Sequence, residues 1–572
     1  MKRKLVAVLL LAAMSVTSLA GCGSDGGSGN DAESSRGGSE ADDAGDADDA
    51  GDADDAGDAA DGESSAEAAE VDADGKVNGI MYAEGLPIVD EGAYTFSIFC
   101  DDSSSTGEFY MLNEFEKQTN VKVDLQIFAN ENATEKMNLA LNSGDYADVI
   151  GGWILDDSKI LTYGVEQGVF IPLEDIFAQY CPRIMEILDL PGVREKMTAP
   201  DGHIYTIPYV CGDTSVGYSP FINGRWLENV NMEMPTTTEE FEAVLTAFKE
   251  QDANGNGDAT DEIPFSADPN NKHLEAMTGY FGLPMDKTGF GLKDEQVVYA
   301  AMSSEYRQCL SWLSGMYAKG LIDQEIFTQD SATWEGKGNK DMYGVSIAYG
   351  SSEFSGIPQS PEKSEFDVMP VLNTDKGGIW LRDTPGNSVY RTQAVITDKA
   401  EHPEIIARWF DNAFELENGI GCNRGPVGVV TFKEEGTDQY RAIDVNTLDA
   451  ETQEKVGWSN LWPQSLPKFL PIGYKFLEDN PNYDEKKAVE TTYEPNLTKE
   501  VIPSSWIDQD DVEMYSEYAS AIRDYFSQNQ ARFISGEQDV NDDAVWEEYK
   551  AGFEGLGLDE YLRIKGVETI AE

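Results

Sequence analysis

Histidine, cysteine and positive charge are scarce in this chain of 572 residues. It has three histidines, six cysteines, and 41 lysines plus arginines against 106 aspartates plus glutamates, for a formal net charge of -65. The three histidines, His203, His273 and His402, form no HExxH pair, and there is no GxSxG elbow, no Walker loop and no GxGxxG that follows a strand and opens a helix. These gaps leave no recognisable catalytic constellation. Pairs such as Asp101-Asp102, Asp156-Asp157 and Glu239-Glu240 could be offered as acids for glycoside hydrolysis, but so acidic a chain produces such pairs by chance. Cys22, Cys100, Cys181, Cys211, Cys309 and Cys422 are scattered without CxxC spacing, which excludes a thiolate zinc site and a thioredoxin-type motif. With Cys22 set aside, five remain, enough for at most two disulfides, and buried thiols are the simpler reading. No basic stripe with interleaved aromatics opposes the acidic field, so nucleic acid is not an expected partner. After the first residues no apolar run approaches the roughly 20 residues that span a bilayer.

What the sequence does contain begins at its start. Lys2-Arg3-Lys4 precede the apolar run Leu5 to Ala13, followed by Leu19-Ala20-Gly21-Cys22. A basic region, a short apolar region and a small-residue cleavage site make a secretory signal. The cysteine after Leu-Ala-Gly resembles the bacterial lipobox, which implies that Cys22 is lipidated and becomes the mature N-terminus. The expected location is outside the cytoplasm, anchored to the membrane surface by lipid. From Gly23 to Gly75 the chain is almost wholly Gly, Ser, Ala, Asp and Glu, with one cation, Arg36, against nineteen acids. Within it Ala41-Asp42-Asp43-Ala44-Gly45-Asp46 recurs at Ala47 and Ala53. A segment with so little apolar surface cannot offset its ordering entropy, so residues 22–90 read as an acidic, disordered linker. Calcium binding by its aspartates is the alternative to a plain charged spacer. Beyond residue 75 the chain is itself acidic, with 37 cations against 87 acids.

The remaining five hundred or so residues suffice for two or three domains. Tyr94 to Phe99 alternates as a strand, Glu108 to Thr119 reads as helix, Val121 to Phe128 as strand, Thr134 to Ser143 as helix, and Ala147 to Ile150 as strand. This β-α-β pattern restarts with Val216 to Tyr218, a helix from Thr238 to Glu250, strands at Gln296 to Ala300, Tyr343 to Tyr349 and Phe366 to Val371, and a strand-helix unit in Gln393 to Glu417. Two α/β lobes fit this best. The last sixty residues are helical, with Tyr515, Tyr518, Ile522, Tyr525 and Phe526, then Trp546, Tyr549 and Phe553, at spacings of three and four. These stripes are expected to pack on the second lobe.

One helix is specified locally. Thr236-Thr237-Thr238-Glu239-Glu240 contains Ser/Thr-x-x-Glu capping boxes starting at Thr236 or Thr237, and Phe241, Val244, Leu245 and Phe248 form one apolar stripe. It leads into Asp252-Ala253-Asn254-Gly255-Asn256-Gly257-Asp258-Ala259-Thr260-Asp261-Glu262, where oxygen side chains alternate, Gly257 turns the chain and carboxylates close the loop. A hard cation needs such a ligand set, and the loop resembles an EF-hand calcium loop. It departs from one in its closing acid at position 11 and in the strand-like Ile263-Pro264 that follows. An acidic Asn-Gly turn is the plainer alternative. Ten tryptophans complete the inventory. Trp153 follows Ile150-Gly151-Gly152 at a strand end, Tyr349 ends a strand before Gly350-Ser351-Ser352, and Trp458 and Trp462 sit in a loop-like stretch. Ligands of open α/β sheets bind beyond strand carboxyl ends, and aromatic faces suit the C-H faces of sugars. Burial in the core is the competing reading for each.

Asn142-Ser143-Gly144-Asp145-Tyr146-Ala147-Asp148-Val149-Ile150, Asp201-Gly202-His203-Ile204-Tyr205-Thr206-Ile207-Pro208, Pro235 through Ile263-Pro264, Phe533-Ile534-Ser535-Gly536 and Gly557-Leu558-Asp559-Glu560 occur in an order that resembles family 1 extracellular solute-binding proteins of ABC importers. The similarity is to their lipoprotein branch of oligosaccharide and alginate binders. The resemblance implies an α/β, two-lobed periplasmic-binding-protein-like fold of type II. It places lobe 1 at 91–212 plus about 386–422, and lobe 2 at 213–385 plus about 423–572. The implied function is non-enzymatic: a monomer that closes on a carbohydrate, expected to be an oligosaccharide, and presents it to the transmembrane subunits of an ABC permease. It further implies calcium at Asp252, Asn254, Asn256, Asp258, Asp261 and Glu262, with Thr260 or the Asp258 carbonyl taking a position in this longer loop. Cleft-lining aromatics are then expected at Trp153, Tyr209, Tyr349, Trp458 and Trp462, and Trp226 is expected in the core. A peptide or other small polar ligand, a surface-anchored carbohydrate-active enzyme and a stalked adhesin are the alternatives.

Overall fold

The computed structural model describes residues 70–571 apart from 103–107, 213–215, 356–364, 383–386 and 471–480. Cys22 and almost all of the acidic linker lie outside the described residues, and only the backbone is described at Cys211 and Trp458.

The first lobe opens with β1 (Tyr94–Asp101), α1 (Tyr110–Thr119), β2 (Val121–Phe128), α2 (Asn130–Ser143) and β3 (Val149–Gly151). The chain leaves on β4 (Tyr209–Gly212) and builds the second lobe from β5 (Ser219–Asn223), α3 (Thr238–Glu250), β6 (Ile263–Ala267), α4 (Ser304–Ala318), β7 (Tyr343–Ala348) and β8 (Phe366–Val368). It returns on β9 (Asn387–Tyr390) and adds β10 (Ala394–Ile396) and α5 (Pro403–Ala413) to lobe 1. Each lobe holds one four-stranded sheet, ordered β10-β3-β1-β2 in lobe 1 and β8-β5-β7-β6 in lobe 2. In lobe 1, β1 runs parallel to β2 and β3 while the returning β10 is antiparallel to β3. In lobe 2, β7 is parallel to β6 and antiparallel to β5. The crossing strands β4 and β9 pair with each other, Tyr209 opposite Tyr390 and Gly212 opposite Asn387, and with neither lobe's central sheet.

Local chemistry explains the best-predicted element. Thr237 caps α3 by accepting the Glu240 amide at 3.1 Å, and the Glu240 carboxylate accepts the Thr236 amide at 2.9 Å, so the box closes reciprocally. Phe241, Val244, Leu245 and Phe248 are buried in the lobe 2 core, where Phe248 meets Trp226, itself inaccessible, edge-on. The aromatic stripes of α6 (Val512–Ile534) and α7 (Asp543–Gly555) join the same core through Ile522, Phe526, Phe533, Trp546, Tyr549 and Phe553. The four cysteines whose side chains are described, Cys100, Cys181, Cys309 and Cys422, are buried free thiols.

Three expectations need correction. Residues 71–90 are not linker: a short hairpin places Val77, Met81, Ile88 and Val89 in the core of lobe 1. It is held from outside by Arg408, which donates to the carbonyls of Tyr82 and Gly85, and by a 2.8 Å bond from Asn78 Nδ2 to Glu404. The stretch from Gly425 to about Leu470, assigned to lobe 2, packs on lobe 1, where Tyr440 and Leu470 cover Ile420 and Leu461, Trp462 and Leu466 enter the main core. The strand expected at Val216 to Tyr218 begins instead at Ser219, and Gln296–Tyr299 forms a separate hairpin with Phe290–Lys293.

Trp462 has no exposed surface and stacks on Trp409 at 5.9 Å while its other neighbour, Phe115, lies at 5.3 Å. Replacing so large a buried ring by alanine removes transfer energy and leaves a cavity, so Trp462→Ala is expected to cost about 3–5 kcal/mol in denaturant unfolding. A loss below about 1 kcal/mol would place the indole outside the core.

Candidate functional site

Two aromatic clusters mark the carboxyl ends of the two sheets. In lobe 1, β3 is followed by Gly152, whose φ of +117° suits only glycine and whose Cβ, if present, would stand 1.7 Å from Asp101 Oδ1. This turn projects Trp153, 53% exposed, beyond the sheet. Behind it the register of the crossing strands sets Tyr209 and Tyr390 face to face at 5.6 Å, and the Trp153 ring meets them edge-on at 6.2 and 5.5 Å. Asp101, the last residue of β1, is buried beneath the turn, and the amides of Trp153 and Ile154 face its carboxylate. Burial outweighs those amides and pushes this carboxyl up to about 6.

The stretch from Trp462 to Lys468 closes the same wall. Gln464 N donates to Asp102 at 2.9 Å, Ser465 Oγ donates to the Asp101 carbonyl, and Gln464 Oε1 accepts from Lys468 Nζ beside the Tyr209 ring.

In lobe 2, β7 delivers Tyr349, 37% exposed, whose amide donates to Glu353 at 3.0 Å. Tyr218, just before β5, meets Tyr349 edge-on at 5.9 Å and stacks on His273 at 4.7 Å. Burial lowers His273 to about 4, so that its ring is neutral at ordinary pH. Lys486 lies 3.2 Å above the Tyr349 ring centre and donates to the carbonyls of Tyr349 and Gly217. Only nine residue steps separate Tyr209 from Tyr218, a reach of about 30 Å at full extension, so both clusters flank the same crossover.

Of the five aromatics expected to line a cleft, Trp153, Tyr209 and Tyr349 occupy these clusters. Tyr209 is nearly covered, so its role is to back Trp153. Trp462 is a core residue, and the side chain of Trp458 lies outside the described residues. Sequence reading missed Tyr390 and Tyr218. Their signal is positional, one at the lobe 1 end of a crossing strand and one at the mouth of a sheet strand. The three histidines lie in separate places: His203 on Glu174, His273 on Tyr218, and His402 against Tyr94.

The acidic loop after α3 is a chain of Asx turns. Asn254 Oδ1 accepts the Asn256 amide at 2.9 Å, Asn256 Oδ1 that of Asp258 at 2.7 Å, and Asp258 Oδ1 that of Thr260 at 3.1 Å. Asp252 Oδ2 accepts Gly257 N at 2.9 Å and Glu262 Oε1 accepts Ala253 N at 3.0 Å. The other oxygens of these two carboxylates, Asp252 Oδ1 and Glu262 Oε2, are buried without any hydrogen-bond partner, and burial raises the Glu262 carboxyl. Asp261 is engaged by the amide nitrogens of Asn254 and Asn256 at 3.2 and 2.8 Å. Among the described residues no three His, Cys, Asp or Glu side chains converge on one point. The donor set therefore fits a hard cation through two orphaned carboxylate oxygens supplemented by amide and carbonyl oxygens, rather than through a preformed carboxylate cage. Arg225 ties this loop to the sheet, donating to the Asn254 carbonyl at 2.6 Å and pairing with Asp341 and Glu365.

Residues 102–418 match the family model described as bacterial extracellular solute-binding protein. The chain is 29% identical over 477 residues to the fructooligosaccharide ABC transporter substrate-binding protein FusA of Streptococcus pneumoniae serotype 4, covering 80% of this chain and 86% of that one. The solved structure of FusA from S. pneumoniae in complex with kestose superposes with a TM-score of 0.71 at 28% identity, over 82% of this chain and 98% of that one. A FusA structure described as an EF-hand mutant, in complex with fructo-nystose, matches equally well. The alginate-binding protein AlgQ2, solved without calcium ion, shares the fold with a TM-score of 0.66 at 24% identity, over 84% of this chain and 99% of that one. Two sheets joined by a pair of crossing strands, an aromatic cluster at the carboxyl end of each, and a family match over more than half its length make this chain a member of the bacterial extracellular solute-binding proteins.

Proposed function

We propose that this protein is a lipid-anchored extracytoplasmic receptor that binds an oligosaccharide between its two lobes and delivers it to an ABC importer. The observation that carries the reading is Trp153: a half-exposed indole held beyond a sheet's carboxyl end by Gly152, backed by two stacked tyrosines. So large an apolar face left in water, rigidly supported, suits the C-H face of a sugar ring. Similarity to a fructooligosaccharide-binding relative over four-fifths of the chain supports the same class. Tyr349 provides the corresponding face on lobe 2, and the carboxylates and amides around both rings provide hydroxyl partners.

Closure about β4 and β9 brings the two faces onto one ligand, and binding energy is spent favouring the closed state that a permease recognises. Calcium, held by Asp252, Asn254, Asn256, Asp258, Asp261 and Glu262, would act as a structural ion that neutralises the loop's buried carboxylates. Cys22 carries the lipid.

Four outcomes test these assignments. Isothermal titration of Trp153→Ala with the sugar that binds the parent protein should show about 5- to 30-fold weaker affinity, corresponding to about 1–2 kcal/mol, with an unchanged melting temperature. Unchanged affinity would remove Trp153 from the site. Calcium at about 100 times its Kd should add about 2.7 kcal/mol to unfolding, chelator should remove it, and Glu262→Gln should abolish the difference. An intact protein indifferent to calcium would dismiss the ion. Cys22→Ser should release the protein from the membrane fraction, and retention would contradict lipidation. Finally, the Asp101 carboxyl is raised in the folded state, so the protein is relatively more stable where it is protonated, and that advantage is lost as pH rises from about 4 through 6. Asp101→Asn should therefore gain up to about 2 kcal/mol over the parent at pH 7 and nothing at pH 4. A pH-independent difference between the two proteins would show that Asp101 does not titrate in this way.

A further inference from the structure

We propose that Arg391 is a positioning residue for ligand binding, clamping the turn that carries Trp153 to the crossing strand β9 and to the segment that leads into α6. This rests on the reading of Trp153 as a sugar platform and adds to it what holds that platform in place.

The turn from Gly152 to Asp157 is mounted on four consecutive residues of the returning chain. Tyr390 meets the Trp153 ring edge-on at 5.5 Å, and the Gln393 carbonyl accepts the Gly152 amide at 2.7 Å. Between them Arg391 donates from Nε to Asp157 Oδ1 at 2.8 Å and from Nη2 to Oδ2, closing a two-bonded fork. Ile154 and Leu155, inside the turn, are buried in the apolar core of lobe 1. That burial is non-directional and sets only their depth. The fork sets direction, because both of its bonds form together only when guanidinium and carboxylate lie close to one plane.

The same guanidinium reaches a third stretch of chain. Its Nη1 donates to the Ser504 carbonyl at 3.0 Å, and the group lies 4.1 Å over Trp506, whose own Nε1 donates to the Lys196 carbonyl at 3.0 Å. Ile507 and Val512 are buried in the cluster that holds Ile154, Leu155 and Ile160, and the hydroxyls of Ser158 and Ser516 share a hydrogen bond. Farther along α6, Ile522, Phe526 and Phe533 belong to the lobe 2 core. This helix therefore starts against lobe 1 and ends in lobe 2. Arg391 stands where that passage between the lobes meets β9 and the Trp153 turn.

Stability alone is a poor reason for the arrangement. Arg391 is 4% exposed, and the cations Lys196 and Lys565 share the field of its one carboxylate partner, Asp157. Desolvating such a group costs about as much as its pairing returns, so apolar side chains of the same volume would serve the core equally well. They would supply no fixed direction.

The test is a double-mutant cycle on the full mature protein, titrated calorimetrically with fructo-, malto- and galacto-oligosaccharides. Arg391→Lys keeps the charge and loses the fork. It should weaken the tightest of these sugars about 3- to 10-fold, and in a Trp153→Ala background it should cost less than about twofold. Asp157→Asn removes the partner instead and should behave in the same way, which keeps the cycle open if Arg391→Lys melts below the titration temperature. In protein labelled with 5-fluorotryptophan, the fluorine resonance missing from Trp153→Phe identifies that indole, and Arg391→Lys should shift it with no sugar present. An undiminished loss of affinity in the Trp153→Ala background, or an unmoved Trp153 resonance, would overturn the clamp and leave the sugar platform standing. Trp153→Ala without effect on affinity would overturn both. Silence toward every sugar would overturn the carbohydrate reading, while a shifted Trp153 resonance would still uphold the clamp.

Discussion

The pairing of β4 with β9 is the contact on which the rest of this molecule depends. Four residues from each strand, Tyr209–Gly212 and Asn387–Tyr390, form an isolated two-stranded ladder between lobes whose sheets share no strand. Because side chains alternate along a strand, the register that places Tyr390 opposite Tyr209 also decides which rings stand behind Trp153. A slip of one residue in either strand would turn that strand's tyrosine to the other face and leave the indole half supported. The same hydrogen bonds thus connect the lobes, limit their relative motion and assemble one wall of the site.

Around that ladder the two walls are built differently. On lobe 1 the aromatic face is fixed by burial: Gly152 packs onto Asp101, Trp462 fills the core beneath, and the stretch from Trp462 to Lys468 is tied to the end of β1. On lobe 2, Tyr349 sits among groups that lie partly in solvent, and a lysine ammonium covers its face. A ligand stacking on Trp153 meets a finished surface. One approaching Tyr349 from the covered side must exchange places with Lys486, so that side chain's grip on the Tyr349 and Gly217 carbonyls sets part of the cost of engaging lobe 2.

Sequence legibility followed the range of the interactions. The helix Thr238–Glu250 was readable to the residue because its cap, its stripe and its acidic exit loop are all local. The two lobes were readable from alternating elements, and the C-terminal stripes from helical spacing. The hairpin at residues 76–82 was not, because Val77, Met81, Ile88 and Val89 follow no period and sit among polar and glycine residues. Only the groove they fill on lobe 1 makes them core. Trp462 misled for the complementary reason: Pro463 and Ser465 beside it read as a loop, and the loop is one that inserts its indole between Phe115 and Trp409. The family resemblance named Trp153, Tyr209 and Tyr349, but the register of two strands distant in sequence decides that Tyr209 and Tyr390 stand together behind Trp153.

The buried hairpin also has a mechanical meaning. The chain before residue 70 leads into this strap, whose hydrogen bonds to Arg408 and from Asn78 to Glu404 fasten it, among the described residues, to lobe 1. A pull on that leading segment is therefore delivered to lobe 1 first. Under the proposed anchor at Cys22, lobe 1 would be the fixed jaw and lobe 2 the free one, and the molecule could open and shut without dragging its own mooring.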